Sequence, residues 1–138
     1  MDTHVLVPVD GSAPARKALE HALVQFPDAT VTALHVVNPV DATHSLDGIA
    51  TPVFDELQAQ ADEWLEEAES IASDHDREIT TAKEVGRPSR AILEYAEEND
   101  VDHVVIGSHG RTGVSRVLLG SIAETIVRRA AVPVTVVR

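Results

Sequence analysis

Glycine and hydroxyl residues are crowded into one stretch of the sequence, GSHGRTGVSRVLLGS, which covers residues 107–121. An apolar run, VDHVVI, precedes it, and a run with helical spacing, IAETIVRRAA, follows it. Glycines let a ligand approach the backbone closely, and successive N–H groups at the start of a helix attract anions. Arg111 and Arg116 add positive charge. The stretch therefore favours a phosphate-binding loop between a strand and a helix.

The same residues also have purely structural explanations. Gly107, Gly110 and Gly113 suit turns, and Ser121 with Glu124 matches an S-x-x-E capping box, which needs no ligand. The loop matches neither G-x-x-x-x-G-K-[ST] nor G-x-G-x-x-G, so a P-loop NTPase or a standard dinucleotide site is not supported. Taken alone, the loop leaves phosphate binding and a structural role as open alternatives.

Strands and helices are expected to alternate along the chain. Val-rich runs predict strands at 3–9, 30–37, 102–107 and 132–137, and a weaker alternating run at 77–85 suits the edge of a sheet. Amphipathic spacing predicts helices at 11–26, from Pro52 onward, at 88–98 and at 121–130, with a long loop at 38–51. This alternation predicts an α/β fold with one open five-stranded parallel sheet and helices on both faces. No repeat or linker divides the chain, so residues 1–138 are expected to form a single domain.

The glycine stretch and the end of the first strand are expected to meet. In open α/β sheets, ligands bind beyond the carboxyl ends of the strands, where the strand order reverses. In a flavodoxin-like order this point lies between the first strand and a later neighbour. The first strand ends in VDGS and the fourth in the glycine stretch. Asp10 and the loop after Gly107 should therefore converge.

The composition of the chain limits where the protein is expected to reside and what it is expected to bind. The formal net charge is -12, which argues against nonspecific binding to nucleic acid. No apolar run approaches the ~18 residues of a membrane span, and the N-terminus lacks signal-peptide features. With no cysteine in the chain, a cytoplasmic protein without disulfides is expected. Acidic residues with only two lysines, Lys17 and Lys83, are typical of a high-salt cytoplasm, although an ordinary acidic protein has the same composition.

No residue stands out as a catalyst. The histidines show no H-E-x-x-H spacing, and Ser108 lacks a G-x-S-x-G setting. His109 lies inside the glycine stretch and has a packing or stacking role as its alternative. The acidic run at 55–69 indicates a solvated helix face, and Trp64 is expected to be a core residue. The sequence therefore predicts no catalytic residues and at most slow turnover of a bound nucleotide.

The full spacing of the stretch is more specific than its composition. Gly107, Gly110, Gly120 and Ser121 match G-x2-G-x9-G-[ST], which is similar to the nucleotide-binding motif of the universal stress protein family. The resemblance extends over essentially the whole chain. VLVPVDGS at 5–12, LHVV at 34–37, GRPSRAILEYA at 86–96 and PVTVV at 133–137 resemble its first strand and turn, second strand, third helix entry and final strand.

The resemblance implies a Rossmann-like sheet of order 3-2-1-4-5 and a homodimer that pairs through strand 5 (Val132–Val137). Because the glycine motif is intact, it also implies the ATP-binding branch, with Mg²⁺ bridging phosphate oxygens. The expected role is a nucleotide-dependent stress-response module with a protein partner. The alternative is a slow Mg²⁺-dependent ATPase or a nucleotide-transfer enzyme.

The resemblance also assigns roles to individual residues. Residues at the ends of the first two strands would contact the adenosine, with Asp10 near the ribose or adenine: Pro8, Val9, Asp10 and Val36. Residues of the glycine stretch would contact the ribose and phosphates: Gly107, Ser108, His109, Gly110, Arg111, Gly120, Ser121 and Ile122. The site has no obvious carboxylate cage for a metal, and Asp10 is the one nearby candidate ligand.

Overall fold

Parallel strands and helices alternate along the chain in the computed structural model, which describes residues 2–40, 50–110 and 118–138, with the side chains of 50–53 outside that description. In chain order the elements are β1 (His4–Pro8), α1 (Ala13–Gln25), β2 (Thr30–Val37), α2 (Ala50–Asp74), β3 (Thr80–Val85), α3 (Pro88–Glu98), β4 (His103–Gly107), α4 (Ser121–Arg129) and β5 (Val134–Val137). Within these residues no helix is long and apolar enough to cross a membrane.

The five strands form one parallel sheet in the order β3-β2-β1-β4-β5. Strand β1 pairs with β2 on one side, in the register Val5 to Val31, and with β4 on the other, in the register Val5 to His103. The predicted fold class and the strand order implied by the resemblance are both confirmed. The order reverses between β1 and β4, so the carboxyl ends of these two strands flank the switch point.

The core lies on both faces of the sheet, which explains the continuous apolar runs of the central strands. Val5 and Val7 face a cluster with residues of α1 and α2, whereas Leu6 faces a cluster with residues of α3 and α4. All three side chains are completely buried. Strand β3 is half-exposed or exposed along its length, as expected of the edge strand that its weaker pattern predicts.

Most elements differ from the predicted bounds by one to three residues, and two of these differences have a clear physical reason. Helix α2 begins at Ala50 rather than Pro52, so the proline lies in the first turn, where its missing N–H costs no hydrogen bond. The segment 41–49 of the predicted loop lies outside the described residues. Strand β3 begins at Thr80 rather than at residue 77, because Arg77 still belongs to the end of α2 through a bond from its N–H to Ala72 O.

The Arg77 side chain explains why this stretch cannot extend as a strand. Its two terminal nitrogens donate to Leu23 O and Ala29 O, each at 2.8 Å. These carbonyls lie at the end of α1 and just before β2, so Arg77 holds the α1–β2 connection against α2. Charge-assisted bonds to backbone carbonyls are among the stronger hydrogen bonds in proteins.

His103 makes the stability of the fold depend on pH. Its Nε2 lies 2.7 Å from Thr135 Oγ1, and its ring is 4.9 Å from the Phe26 ring. Burial lowers the pKa of His103 below its ordinary value of 6.5, and the nearby His21 lowers the pKa further. Between the two pKa values the unfolded chain binds more protons than the folded one, so His103 makes stability fall as pH drops below about 6.5.

We therefore expect wild type to lose stability relative to His103→Gln as pH falls from 7 to 5. Glutamine places its amide near the Nε2 position, so it keeps the bond to Thr135 without titrating. Urea unfolding of both proteins at several pH values measures the difference. A pH-independent difference between them would show that His103 does not titrate differently on folding.

Candidate functional site

A cavity of ≈ 750 Å³ lies at the carboxyl ends of β1, β2 and β4 and reaches the start of α4. Ten of the twelve predicted site residues line it: Pro8, Val9, Asp10, Val36, Gly107, His109, Gly110, Gly120, Ser121 and Ile122. Arg111 lies outside the described residues, and so does Arg116. The structure thus brings the end of β1 and the glycine stretch together at the switch point, as the sequence predicts.

The Asp10 carboxylate lies at the centre of this meeting point. Its Oδ1 accepts a hydrogen bond from Ser12 N at 3.0 Å, which closes the β1–α1 turn. Gly11, between them, has a φ of 80°, a conformation that glycine adopts most readily. A Cβ on Gly110 would lie 2.7 Å from Asp10 Oδ2, so a larger residue there would displace the carboxylate from its present position.

The other two motif glycines are also explained by close approach within the protein. A Cβ on Gly107 would lie 2.8 Å from Pro14 C, where α1 begins. A Cβ on Gly120 would lie 3.0 Å from His109 Cα, and Gly120 N donates to Ser108 O at 2.7 Å. The glycines therefore have structural roles, and they leave the wall of the cavity as bare backbone.

Ser108 is placed differently from the other residues of the stretch. It is buried, at 6% exposure, and is absent from the described lining of the cavity. Its N–H donates to Val137 O at 2.8 Å, and its hydroxyl lies 3.2 Å from His109 Nδ1. Ser108 therefore ties the loop to β5 and orients the His109 ring, which does line the cavity.

The predicted capping box at the start of α4 is wrong. The N-cap is Gly120, one residue earlier, and no side chain caps the helix. Ser121 is the first helical residue, and Glu124 pairs instead with Arg128 at 2.9 Å. The Ser121 hydroxyl lies exposed at the cavity, beside the N–H groups of the first helical turn, which have no partner within a helix.

Because it caps nothing, Ser121→Ala should change the free energy of unfolding by no more than about 0.5 kcal/mol. The matched control is Ser12→Ala, since the Ser12 hydroxyl is a true N-cap that accepts from Ala15 N at 3.3 Å. That control should lose about 1 kcal/mol. Urea unfolding measures both variants. An equal loss in the two would mean that Ser121 stabilises α4 after all.

The cavity also contains residues that the sequence analysis did not single out. Leu57 of α2 and Pro88 and Ile92 of α3 add apolar side chains to its lining, and Asn38 lies at the end of β2. His35 lines the cavity while being only 7% exposed. The signal was present in the run TVTALHVV, where alternation places His35 on the same buried face as Val31 and Ala33.

Trp64 packs against the site turn from α2 and is half-buried, so it lies beside the buried core rather than within it, which corrects the prediction of a core residue. Its Nε1 would lie 2.2 Å from a Cβ on Gly11, and its ring is 5.0 Å from the His35 ring in an edge-on contact. Trp64 is the one tryptophan of the chain. Its fluorescence therefore reports on the turn that carries Asp10.

The cavity combines apolar lining side chains with bare backbone at the N-terminus of α4. Apolar surfaces suit a planar base, and helix N-termini suit an anion. Asp10 contributes a carboxylate able to accept from hydroxyl groups. Within the described ranges no three His, Cys, Asp or Glu side chains are grouped as metal ligands.

Sheet order, switch-point cavity and glycine stretch define a flavodoxin-like α/β protein with its candidate ligand site at the carboxyl ends of β1 and β4. Within that class, the chain belongs to the universal stress protein family, whose model matches residues 1–138. The family named from the glycine motif is thereby confirmed.

Individual members of the family are similar over nearly the whole chain. Universal stress protein MJ0531 of Methanocaldococcus jannaschii is 32% identical over 144 residues, covering 97% of this chain and 81% of the relative. The structure of universal stress protein UspA from Lactobacillus plantarum is 29% identical, with a TM-score of 0.83 and coverage of 99% and 97%. A universal stress protein solved in complex with cAMP is 27% identical, with a TM-score of 0.75 and coverage of 99% and 97%.

Proposed function

We propose that this universal stress protein binds ATP in the cavity and acts as a nucleotide-dependent stress-response module in the cytoplasm. The observation that carries the proposal is the start of α4, which faces the cavity with its first-turn N–H groups and with a Ser121 hydroxyl that caps no helix. A helix start with this chemistry stabilises bound phosphate. The relative in complex with cAMP supports an adenine nucleotide as the ligand.

The lining of the cavity suggests which residues would contact each part of the nucleotide. Pro8, Val9 and Val36, at the ends of β1 and β2, would contact the adenosine, and Asp10 would accept from ribose hydroxyls or the adenine amine. The glycine stretch and the start of α4 would hold the ribose and the phosphates: Gly107, His109, Gly110, Gly120, Ser121 and Ile122. Arg111 would add positive charge. Ser108, which does not line the cavity, would orient the His109 ring.

Mg²⁺ is proposed as a companion of the phosphates rather than as an ion held by the protein. The described residues contain no cluster of three candidate metal ligands, and Asp10 is the one carboxylate that lines the cavity among them. Mg²⁺ commonly binds through one or two carboxylates together with substrate phosphates and water. Magnesium should therefore bind strongly only when nucleotide is present.

We propose that ATP serves as a signal and is turned over slowly, if at all. Hydrolysis requires a group that positions water and groups that stabilise developing charge. A slow Mg²⁺-dependent ATPase or a nucleotide-transfer enzyme is the second candidate, favoured by the bond between Ser108 Oγ and His109 Nδ1. That alternative requires turnover that His109→Ala reduces without weakening ATP binding.

A homodimer through β5 is also proposed. Strand β5 is the last strand of the sheet on the β4 side, and Val134–Val137 are all half-buried in a single chain. An apolar edge strand of this kind offers unpaired backbone groups to another chain. The backbone groups of Pro133 and Val137 bond on the β4 side, so by alternation along the strand the N–H of Val136 points to the open edge. Sedimentation analysis of wild type and of Val136→Pro, which removes that donor, tests whether β5 mediates pairing.

The first experiment identifies the ligand. The protein is purified without added nucleotide, denatured, and any released molecule is identified by mass spectrometry. Magnesium-ATP is then titrated into the ligand-free protein by calorimetry, with Trp64 fluorescence as a second signal. Saturable binding with one site per chain supports the proposal. A flat titration of folded protein, at salt concentrations from low to molar, would overturn it.

A further inference from the structure

We propose that His35 is a positioning residue for the ligand: it holds the β1–α1 turn so that the Asp10 carboxylate faces the cavity. The expected effect of His35 on nucleotide affinity rests on the proposed function. Its structural part concerns the turn itself and can be tested without any ligand. His35 makes two described contacts with this region, one to the backbone just before Asp10 and one to the side chain that covers Gly11.

The first contact is a short hydrogen bond from one strand to the end of another. His35 Nδ1 lies 2.6 Å from Val9 O, although the two residues are 26 positions apart in the sequence. A backbone carbonyl only accepts hydrogen bonds, so the proton must be on Nδ1 and the imidazole must donate. Val9 N in turn donates to Leu34 O at 2.8 Å. The N–H of Val9 is thus bonded to the backbone of β2, and the C=O of Val9 is bonded to the side chain of His35.

The second contact reaches the turn from α2. The His35 ring meets the Trp64 ring edge-on at 5.0 Å, and Trp64 lies directly over Gly11. On the α1 side, Arg16 Nη1 donates to Gly11 O at 2.7 Å and to Glu67 Oε1 at 3.2 Å. The turn is therefore held from the sheet, from α2 and from α1.

Of the side chains that restrain the turn, His35 is the most buried. His35 is 7% exposed, whereas the side chains of Arg16 and Glu67 are 43% and 41% exposed. Exposed ion pairs contribute little because water competes for them, while a buried bond that is lost leaves a carbonyl unsatisfied. His35 is thus expected to set the position of Val9 and, through it, of Asp10.

The test compares two amides at position 35 that place the donor differently. The amide nitrogen of His35→Asn occupies nearly the position of Nδ1 and keeps the bond to Val9 O. His35→Gln carries the same amide near the Nε2 position and loses that bond. We expect the Kd for magnesium-ATP to stay within about threefold of wild type for asparagine and to rise about tenfold for glutamine.

The control is a similar bond at the opposite end of the sheet. His4 Nδ1 lies 3.1 Å from Asn99 O, at the amino end of β1 and far along the strand from Asp10. His4→Gln removes this bond and should leave the Kd unchanged. All measurements are made at a temperature where urea titration shows each variant to be fully folded. An equal loss of affinity in the two His35 variants, or no loss in either, would overturn the proposal.

A second readout separates this inference from the proposed function. Ser12 N donates to Asp10 Oδ1, so exchange of the Ser12 amide with deuterium reports the geometry of the turn in the protein without nucleotide. His35→Gln should speed this exchange about tenfold, while His35→Asn and His4→Gln should not. If wild type binds no nucleotide, the proposed function fails, and the exchange of Ser12 still decides whether His35 positions the turn.

Discussion

Replacing Gly107 with alanine is expected to lower the free energy of unfolding by about 2 kcal/mol, as overpacking of a tight interface does. The new Cβ would lie 2.8 Å from both C and Cβ of Pro14, and 3.0 Å from Ala15 N. Two of these three atoms are backbone, so no flexible side chain can move aside. The start of α1 must shift away from the end of β4, which disturbs a buried contact next to the cavity.

Urea unfolding measures this loss, and Gly86→Ala provides the control. A Cβ on Gly86 meets no atom within 4 Å, but its φ of 155° disfavours other residues. That variant should lose only a backbone contribution of about 1 kcal/mol. If Gly107→Ala were no more costly than Gly86→Ala, the packing of α1 on β4 would tolerate a methyl group, and Gly107 would need another explanation.

The Gly107 result bears on how the glycine motif is understood. From the sequence alone, ligand binding and turn formation are alternative roles for Gly107 and Gly110. The structure adds a third role, since each of Gly107, Gly110 and Gly120 allows a close approach between parts of the protein itself. These contacts bring Asp10, His109 and the start of α4 to one cavity. A motif of this kind therefore builds the site even before any phosphate is bound.

The fold was predictable because its signals are local and repeated. Continuous apolar runs such as VLV at 5–7 mark strands covered on both faces, and the alternation of strands with amphipathic helices predicts a parallel sheet. The boundary at Thr80 was not predictable in this way. It depends on Arg77 reaching two carbonyls that are 54 and 48 residues away in the sequence.

Most of the residues predicted for the site do line it, whereas the N-cap position of α4 and the residues that hold the lining in place were not predicted. Ser and Gly are both accepted N-caps, so the sequence did not distinguish an α4 capped by Ser121 from one capped by Gly120. His35 was missed because its bond to Val9 O joins two strands, and one sequence does not reveal such pairs. The sheet topology is enough to predict which strand ends line the cavity. The residues that hold the lining in place depend on side-chain packing, which the sequence does not reveal.

The largest effect on ligand binding is expected from Gly120→Val, which should weaken the affinity for magnesium-ATP at least about a hundredfold, or ~2.7 kcal/mol. Even a Cβ would lie 3.0 Å from His109 Cα and 3.2 Å from Ser108 O. The branched side chain would break the 2.7 Å bond from Gly120 N to Ser108 O and would force the loop away from α4. The start of the helix and the backbone of the loop would then no longer line one concave surface.

The same substitution should leave the sheet and helices intact, because the atoms it meets belong to the loop and not to either core cluster. Far-UV circular dichroism and urea unfolding check the fold, and calorimetry measures the affinity. Val101→Ala is the control, since Val101 is buried at the opposite end of the sheet. It should lose about 1–2 kcal/mol of stability while binding normally. If Gly120→Val bound ATP within tenfold of wild type, the phosphates would have to bind elsewhere. Binding would then not depend on the contact between the glycine stretch and the start of α4.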